Sequence, residues 1–158
     1  MSYETRLTEL KIELPPAPKP VGSYVAAVRV GDLVFTAEQL PLRDGQLVAT
    51  GKVGAAGMAG AAVDVPMAQA AARQAMINAL AAVRAEVGTL DAVVRVVRLN
   101  VFVNSAAGFT DQAQVANGAS GLLTDIFGDA GRHTRVALGA AELPLDAAVE
   151  VDMIVEVK

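Results

Sequence analysis

The sequence predicts an α+β domain: one mostly antiparallel sheet with two helices packed on a single face. Three observations carry that expectation. Val149, Val151, Met153, Val155 and Val157 share one parity while Glu150, Asp152 and Glu156 share the other, the alternation of a strand with one buried face. Ala72, Met76, Ala79, Val83 and Val87 recur at three- and four-residue steps, the apolar stripe of a helix lying on a sheet. The elements then run hairpin, helix, strand, helix, strand, strand, an order that suits helices gathered on one side.

Each element has its own local reason. "ETRLTELKIELPPAPKP" begins as one or two amphipathic helical turns and ends in a Pro-rich stretch that cannot be helix interior. "YVAAVRVGDLVFTAEQ" reads as a hairpin turning at Gly31-Asp32, with glycine first as a type II′ turn prefers. That turn pairs Val30 with Leu33 and Tyr24 with Gln39, and puts Tyr24, Phe35, Ala37 and Gln39 on one face against Arg29, Thr36 and Glu38 on the other. "RDGQLVATGKVGAAGMAGAAVD" is glycine-rich and aperiodic, a long surface excursion with a turn at Asp44-Gly45.

The first long helix has Asp64 as N-cap, Pro66 in its first turn and Gly88 just past its end, with Arg73, Gln74 and Arg84 largely off the apolar stripe. "AVVRVVRLNVFV", without clean alternation, suits a central strand covered on both faces. A second helix is expected over 111–127, weakened by Gly118 and Gly121 and stopped by Gly128 and Gly131. "HTRVALGAAELPLDAAVEVDMIVEV" supplies two strands around a Pro-containing turn. The domain organisation expected is an N-terminal extension over 1–20 and a single domain over 21–158.

Composition narrows the function. The 158 residues carry a net charge of −4 and no run of Lys or Arg, which argues against non-specific binding to nucleic acid or an anionic membrane. With no cysteine, disulfides, thiol nucleophiles and zinc–thiolate sites are impossible, and a lone His133 excludes a multi-histidine metal site within one chain. The start of the chain has no apolar signal segment and the apolar runs are too broken to span a bilayer, so a cytoplasmic location is expected by default. His133 in a Gly-rich bend reads as an exposed imidazole rather than a base, and Ser105 and Ser120 as ordinary turn or helix serines. "GKVGAAGMAG" lacks the ending of a phosphate loop.

The last two strands pose a question about Arg135. Val136 and Leu138 are the bulky residues of the first of them, so parity turns Arg135 toward the helix-free face that carries Glu150, Asp152 and Glu156. That face also bears Phe35 and Ala37, too apolar to be left wet, so we expect a second copy of the chain to cover it, with Arg135 near the boundary. A guanidinium there binds carboxylates through its planar fork, and Glu150 and Glu38 are the candidate proton carriers.

Three blocks of the sequence, "VGSYVAAVRVGDLVFTAEQLP", "VVRLNVFVNSAAGFTDQ" and "TRVALGAAELPLDAAVEVDMIVEV", resemble the YjgF/RidA family of reactive-intermediate deaminases, also labelled endoribonuclease L-PSP. The resemblance implies a chorismate-mutase-like fold and a homotrimer whose sheets form an inner barrel, with three clefts between subunits. It implies an arginine that binds the substrate carboxylate and a glutamate that positions water against an imine carbon, at Arg135 and Glu150. Tyr24 lines the cleft, Ala37 and Glu38 stand where the family commonly has Ser-Gly, and the family's helix asparagine has its nearest candidate in Asn117. The implied substrates are carboxylate-bearing enamines and imines, hydrolysed to 2-oxo acids and ammonia with no metal or organic cofactor. Two other readings are a regulatory trimer that binds small carboxylates without turnover, and a ribonuclease, which the acidic chain disfavours.

Overall fold

The computed structural model describes residues 2–20 and 22–158, so Val21, at the expected start of the domain, lies outside the described residues. In chain order the elements are α1 (Tyr3–Glu9), β1 (Ala27–Val30), β2 (Leu33–Thr36), β3 (Leu42–Arg43), β4 (Gln46–Leu47), α2 (Val65–Val87), β5 (Val93–Asn104), α3 (Gln112–Phe127), β6 (Thr134–Ala140) and β7 (Val149–Val157). The main sheet has the order β1-β2-β7-β5-β6, and only the β5–β6 pair is parallel. This is the α+β arrangement expected.

The helices begin and end where their caps are. The Asp64 side chain accepts from the Met67 amide at the start of α2, and Gly88 closes it at φ 86°, a conformation that favours glycine. Ala72, Met76, Ala79 and Val83 are all buried against the sheet. α3 crosses α2 at close range: a Cβ on Gly118 would stand 2.1 Å from the Gln69 carbonyl oxygen, so the glycine that weakens helix propensity is what permits the approach. α1 docks at the far end of α3, where the Tyr3 ring meets Phe127 edge-on with centroids 4.7 Å apart. Asp91 accepts from Ser2 Oγ and from the Tyr3 and Glu4 amides, holding the start of α1, and these bonds keep its carboxyl below the usual range.

The hairpin turns at Gly31, φ 60°, and pairs Val30 with Leu33 through Ala27 with Thr36. The expected Tyr24–Gln39 pair does not form. Gln39 instead exchanges backbone hydrogen bonds with Val151 of β7, at 2.7 and 3.1 Å. Phe35 pairs with Ile154, so one extra residue is taken up before Gln39, and Thr36 Oγ1 accepts the Met153 amide within that bulge. The bulge turns Gln39 toward the helices and spoils the single face expected for Phe35 and Gln39.

β5 corrects another expectation. Its broken alternation comes from register shifts between Val93 and Arg95 and between Val96 and Arg98, not from cover on both faces. Val93, Val96, Leu99, Val101 and Val103 all reach the helix side despite their uneven spacing. The glycine-rich excursion is anchored as well as exposed. Asp44 and Gly45, both at positive φ, turn the β3–β4 hairpin, and Val53, fully buried, bridges Val63 and Ser105.

β6 and β7 are not partners: both pair with β5, from opposite sides. Register then decides the face of Arg135. Arg135 lies beside Leu99, which lies beside Met153, and both of these are fully buried under the helices. Laterally paired residues share a face, so Arg135 is on the helix side, and the expectation that it emerges from the helix-free face is overturned. Parity misplaces Arg135 because β6 is an edge strand. Its bulky Val136 and Leu138 point to the open face, where Leu138 is exposed, rather than into the core.

Candidate functional site

Glu150 sits on the helix-free side of β7, aligned with Phe102 and, through it, with Leu138. It is only 7% exposed. The bulge before Gln39 brings the Glu38 carboxyl close enough to act on its charge. Burial, and then the charge and hydrogen bond of Glu38, push the Glu150 carboxyl up to about 7. A carboxyl raised to about 7 gains and loses its proton near neutrality, which suits Glu150 to acid–base work. Asp152, next on the same face, is also raised by burial, although Asn100 and Arg98 oppose the shift.

This pair opens on a groove of about 1210 Å³. Tyr24, 54% exposed, stands on its wall, and the Pro-rich segment after α1 forms another side. Leu145, exposed and at φ 58°, lies at the rim.

A second polar cluster lies at the other end of the sheet, where α3 covers the β6 edge. Arg135 Nη1 donates to Asn117 Oδ1 at 2.8 Å and to Ser120 Oγ at 3.1 Å. His133 Nδ1 donates to the Gly131 carbonyl at 2.6 Å, which leaves Nε2 as the acceptor for the Ser120 hydroxyl at 3.0 Å. Burial first, and the nearby Arg135 charge, hold the imidazole pKa below its ordinary value, so it stays neutral and keeps that acceptor. Asn117 and Ser120 thus fix the direction of the guanidinium, with His133 bracing Ser120 from behind.

Residues 4–157 match the family model described as YjgF/chorismate-mutase-like endoribonuclease. The chain belongs to this family. It is 46% identical over 151 residues to Protein TCP17 of Trypanosoma cruzi, a match covering 95% of this chain and 91% of that protein. Among solved structures it is similar to Atu1372 of Agrobacterium tumefaciens, a protein of unknown function. The identity is 41%, the cover 99% of this chain and 92% of that one, and the TM-score 0.87. It is also similar to a Shewanella oneidensis protein assigned to the endoribonucleases, at 30% identity, with 99% and 100% of the chains covered and a TM-score of 0.92.

Within this YjgF/chorismate-mutase-like frame the expected site residues divide into two sets. Tyr24, Glu38 and Glu150 line one groove. Arg135 and Asn117 form the second cluster, and the helix asparagine candidate is in direct contact with the arginine. Ala37 belongs to neither; its amide closes the hairpin on the Ala26 carbonyl at 2.9 Å. The sequence suggests an ordinary serine at Ser120 and an exposed imidazole at His133, yet Ser120 accepts from the arginine and His133 is half-buried behind it, and no local sequence signal links them. Gln74 and Asn78 were missed too, and here a signal existed: two amides four residues apart in an Ala-rich helix, both buried. No described helix is long and apolar enough to cross a membrane.

Proposed function

We propose that the protein hydrolyses carboxylate-bearing enamines and imines to 2-oxo acids and ammonia, in clefts between the subunits of a homotrimer. The observation that carries this reading is the division of the site. An arginine suited to a carboxylate lies on the edge strand β6 and the raised Glu150 carboxyl on the central strand β7, on opposite faces of one sheet, and each lacks the other as a neighbour. A head-to-tail ring of copies joins one edge to the next copy's other edge and completes every cleft. The exposed Phe35 and Leu138 on the open face are covered by the same association.

In such a cleft Arg135 of one copy grips the substrate carboxylate through the guanidinium fork. The protonated member of the Glu38/Glu150 pair gives its proton to the imine nitrogen, and the ionised member takes one from water as its oxygen bonds to the imine carbon. The carbinolamine then loses ammonia: the protonated carboxyl gives its proton to the nitrogen as the C–N bond breaks, the ionised one takes the hydroxyl proton, and the C=O of the 2-oxo acid forms. Tyr24 closes the wall beside the reacting carbon. The reaction needs only water.

Ammonia release from freshly generated 2-aminoacrylate tests the reading. The wild type is expected to accelerate it, and Arg135→Ala to lose at least about 100-fold of that rate, since the fork supplies charge-assisted binding and orientation together. Stabilisation by short 2-oxo acids without any turnover identifies the non-catalytic binding trimer instead, a reading favoured by the second carboxyl, Glu38, close to where an anion must sit.

A further inference from the structure

The groove holds a cation that the proposed chemistry does not use. Arg43, in the short β3–β4 hairpin, donates from Nε at 3.0 Å and from Nη2 at 2.8 Å to a single oxygen, Gln74 Oε1. These two nitrogens form the side edge of the guanidinium. Its end edge, Nη1 and the outer hydrogen of Nη2, is the edge that takes a carboxylate in a two-point grip. The ion pairs among the described residues leave Arg43 out, although Asp44 and Glu13 line the same groove.

What holds Arg43 is built into the core. Gln74 and Asn78 are 5% and 3% exposed, a costly place for two primary amides. They are satisfied in series: Gln74 Nε2 donates to Asn78 Oδ1 at 3.1 Å, and Asn78 Nδ2 donates to the Leu40 and Leu42 carbonyls, each at 2.9 Å. Asn78 thereby ties the 40–42 segment to α2. The remaining output of the chain of amides is a carbonyl oxygen aimed at Arg43, which fixes the side edge, and no hydrogen bond among the described residues occupies Nη1 of this groove-lining arginine.

We propose that Arg43 is a second anion anchor, and that the groove's ligand is an acid with a further carboxylate distal to its reacting carbon. This rests on the reading of the groove as the substrate site, with Arg135 of a neighbour taking the first carboxylate. The groove, at about 1210 Å³, exceeds the roughly 300–1,000 Å³ of small-molecule sites and has room for an extended molecule. Lys11 and Lys19 on the Pro-rich wall add positive charge without adding a fork.

Titration calorimetry of the full chain with 2-oxoglutarate and with 2-oxopentanoate, equal in chain length, tests the anchor. The wild type is expected to bind the dicarboxylate about tenfold more tightly. Arg43→Gln is expected to erase that preference while leaving 2-oxopentanoate binding unchanged, with a lower melting temperature because the buried Gln74 Oε1 loses its two donors, and Arg43→Lys to restore only part of the preference. Equal affinities in the wild type, a preference that survives Arg43→Gln, or no binding of either acid overturns the proposal. The deaminase reading fails separately: a dicarboxylate preference with no ammonia release keeps the anchor and removes the reaction, whereas ammonia release with no such preference does the reverse.

Discussion

Arg135 and Glu150 occupy opposite faces of one sheet. Arg135 lies in register with Leu99 and Met153 beneath the helices, whereas Glu150 lies in register with Phe102 and Leu138 on the open side. β6, which carries the arginine, is the terminal strand, and β7, which carries the glutamate, is separated from it by β5. No side-chain rotation brings the two groups to one substrate through an intervening sheet, so cooperation between them requires two copies of the chain.

That requirement has a direct consequence for mixed oligomers. Arg135→Ala and Glu150→Gln subunits, each inactive alone, are expected to regain activity when unfolded and refolded together. With random assembly at equal amounts, about one cleft in four draws its arginine and its glutamate from intact positions, so about a quarter of wild-type activity returns. Ammonia release measured before and after co-refolding checks this. Activity no greater than the sum of the separate variants would mean that the site is not shared between subunits.

Glu150 gives a pH dependence whose sign is fixed. Its carboxyl is raised from 4.5 to about 7, so the folded state holds its proton more tightly than the unfolded state does. The stabilisation is complete below the unfolded value and is lost as pH rises through about 7. Glu150→Gln keeps the shape and removes the ionisation. The variant is therefore expected to melt above the wild type at pH 8, by on the order of 1–2 kcal/mol once solvent screening is allowed for, with the difference shrinking toward pH 5. Melting curves between those values decide it; a constant offset across the range would assign the difference to packing instead of titration.

How much of this was legible beforehand follows from what a linear pattern can encode. Caps at Asp64 and Gly88, the turn at Gly31 and the alternation from Val149 are local features, and each stood in the structure where its neighbours in sequence placed it. The face of Arg135 was not local. It depends on β6 joining the sheet edge parallel to β5, where bulky residues need not point into the core. The bulges in β5 and before Gln39 were hidden for a related reason, since an extra residue in a strand looks like a lapse of alternation until a partner strand is supplied. Of the candidate site, Tyr24, Glu38 and Glu150 came together as one wall, and Arg135 with Asn117 as another. The supporting groups Ser120 and His133 were out of reach because each is defined by a contact across 13 or more residues of chain.

Two glycines of α3 separate packing from propensity. Gly118 and Gly121 both lie inside the helix, and each costs roughly 1 kcal/mol of helix propensity relative to alanine. At Gly121 an added Cβ meets nothing within 4 Å, so Gly121→Ala is expected to stabilise by up to that amount. At Gly118 the same methyl would stand 2.1 Å from the Gln69 carbonyl oxygen and 2.7 Å from its carbon, both backbone atoms of α2. The helices must then move apart, and Gly118→Ala is expected to destabilise by about 1–3 kcal/mol despite the better helix former. Because α3 also carries Asn117 and Ser120, such a shift would displace the partners of Arg135 and weaken carboxylate binding along with stability. Urea unfolding of the two variants, with calorimetry against a short 2-oxo acid, checks both parts. If Gly118→Ala is as stable as Gly121→Ala, the close crossing of α2 and α3 is not what requires the glycine.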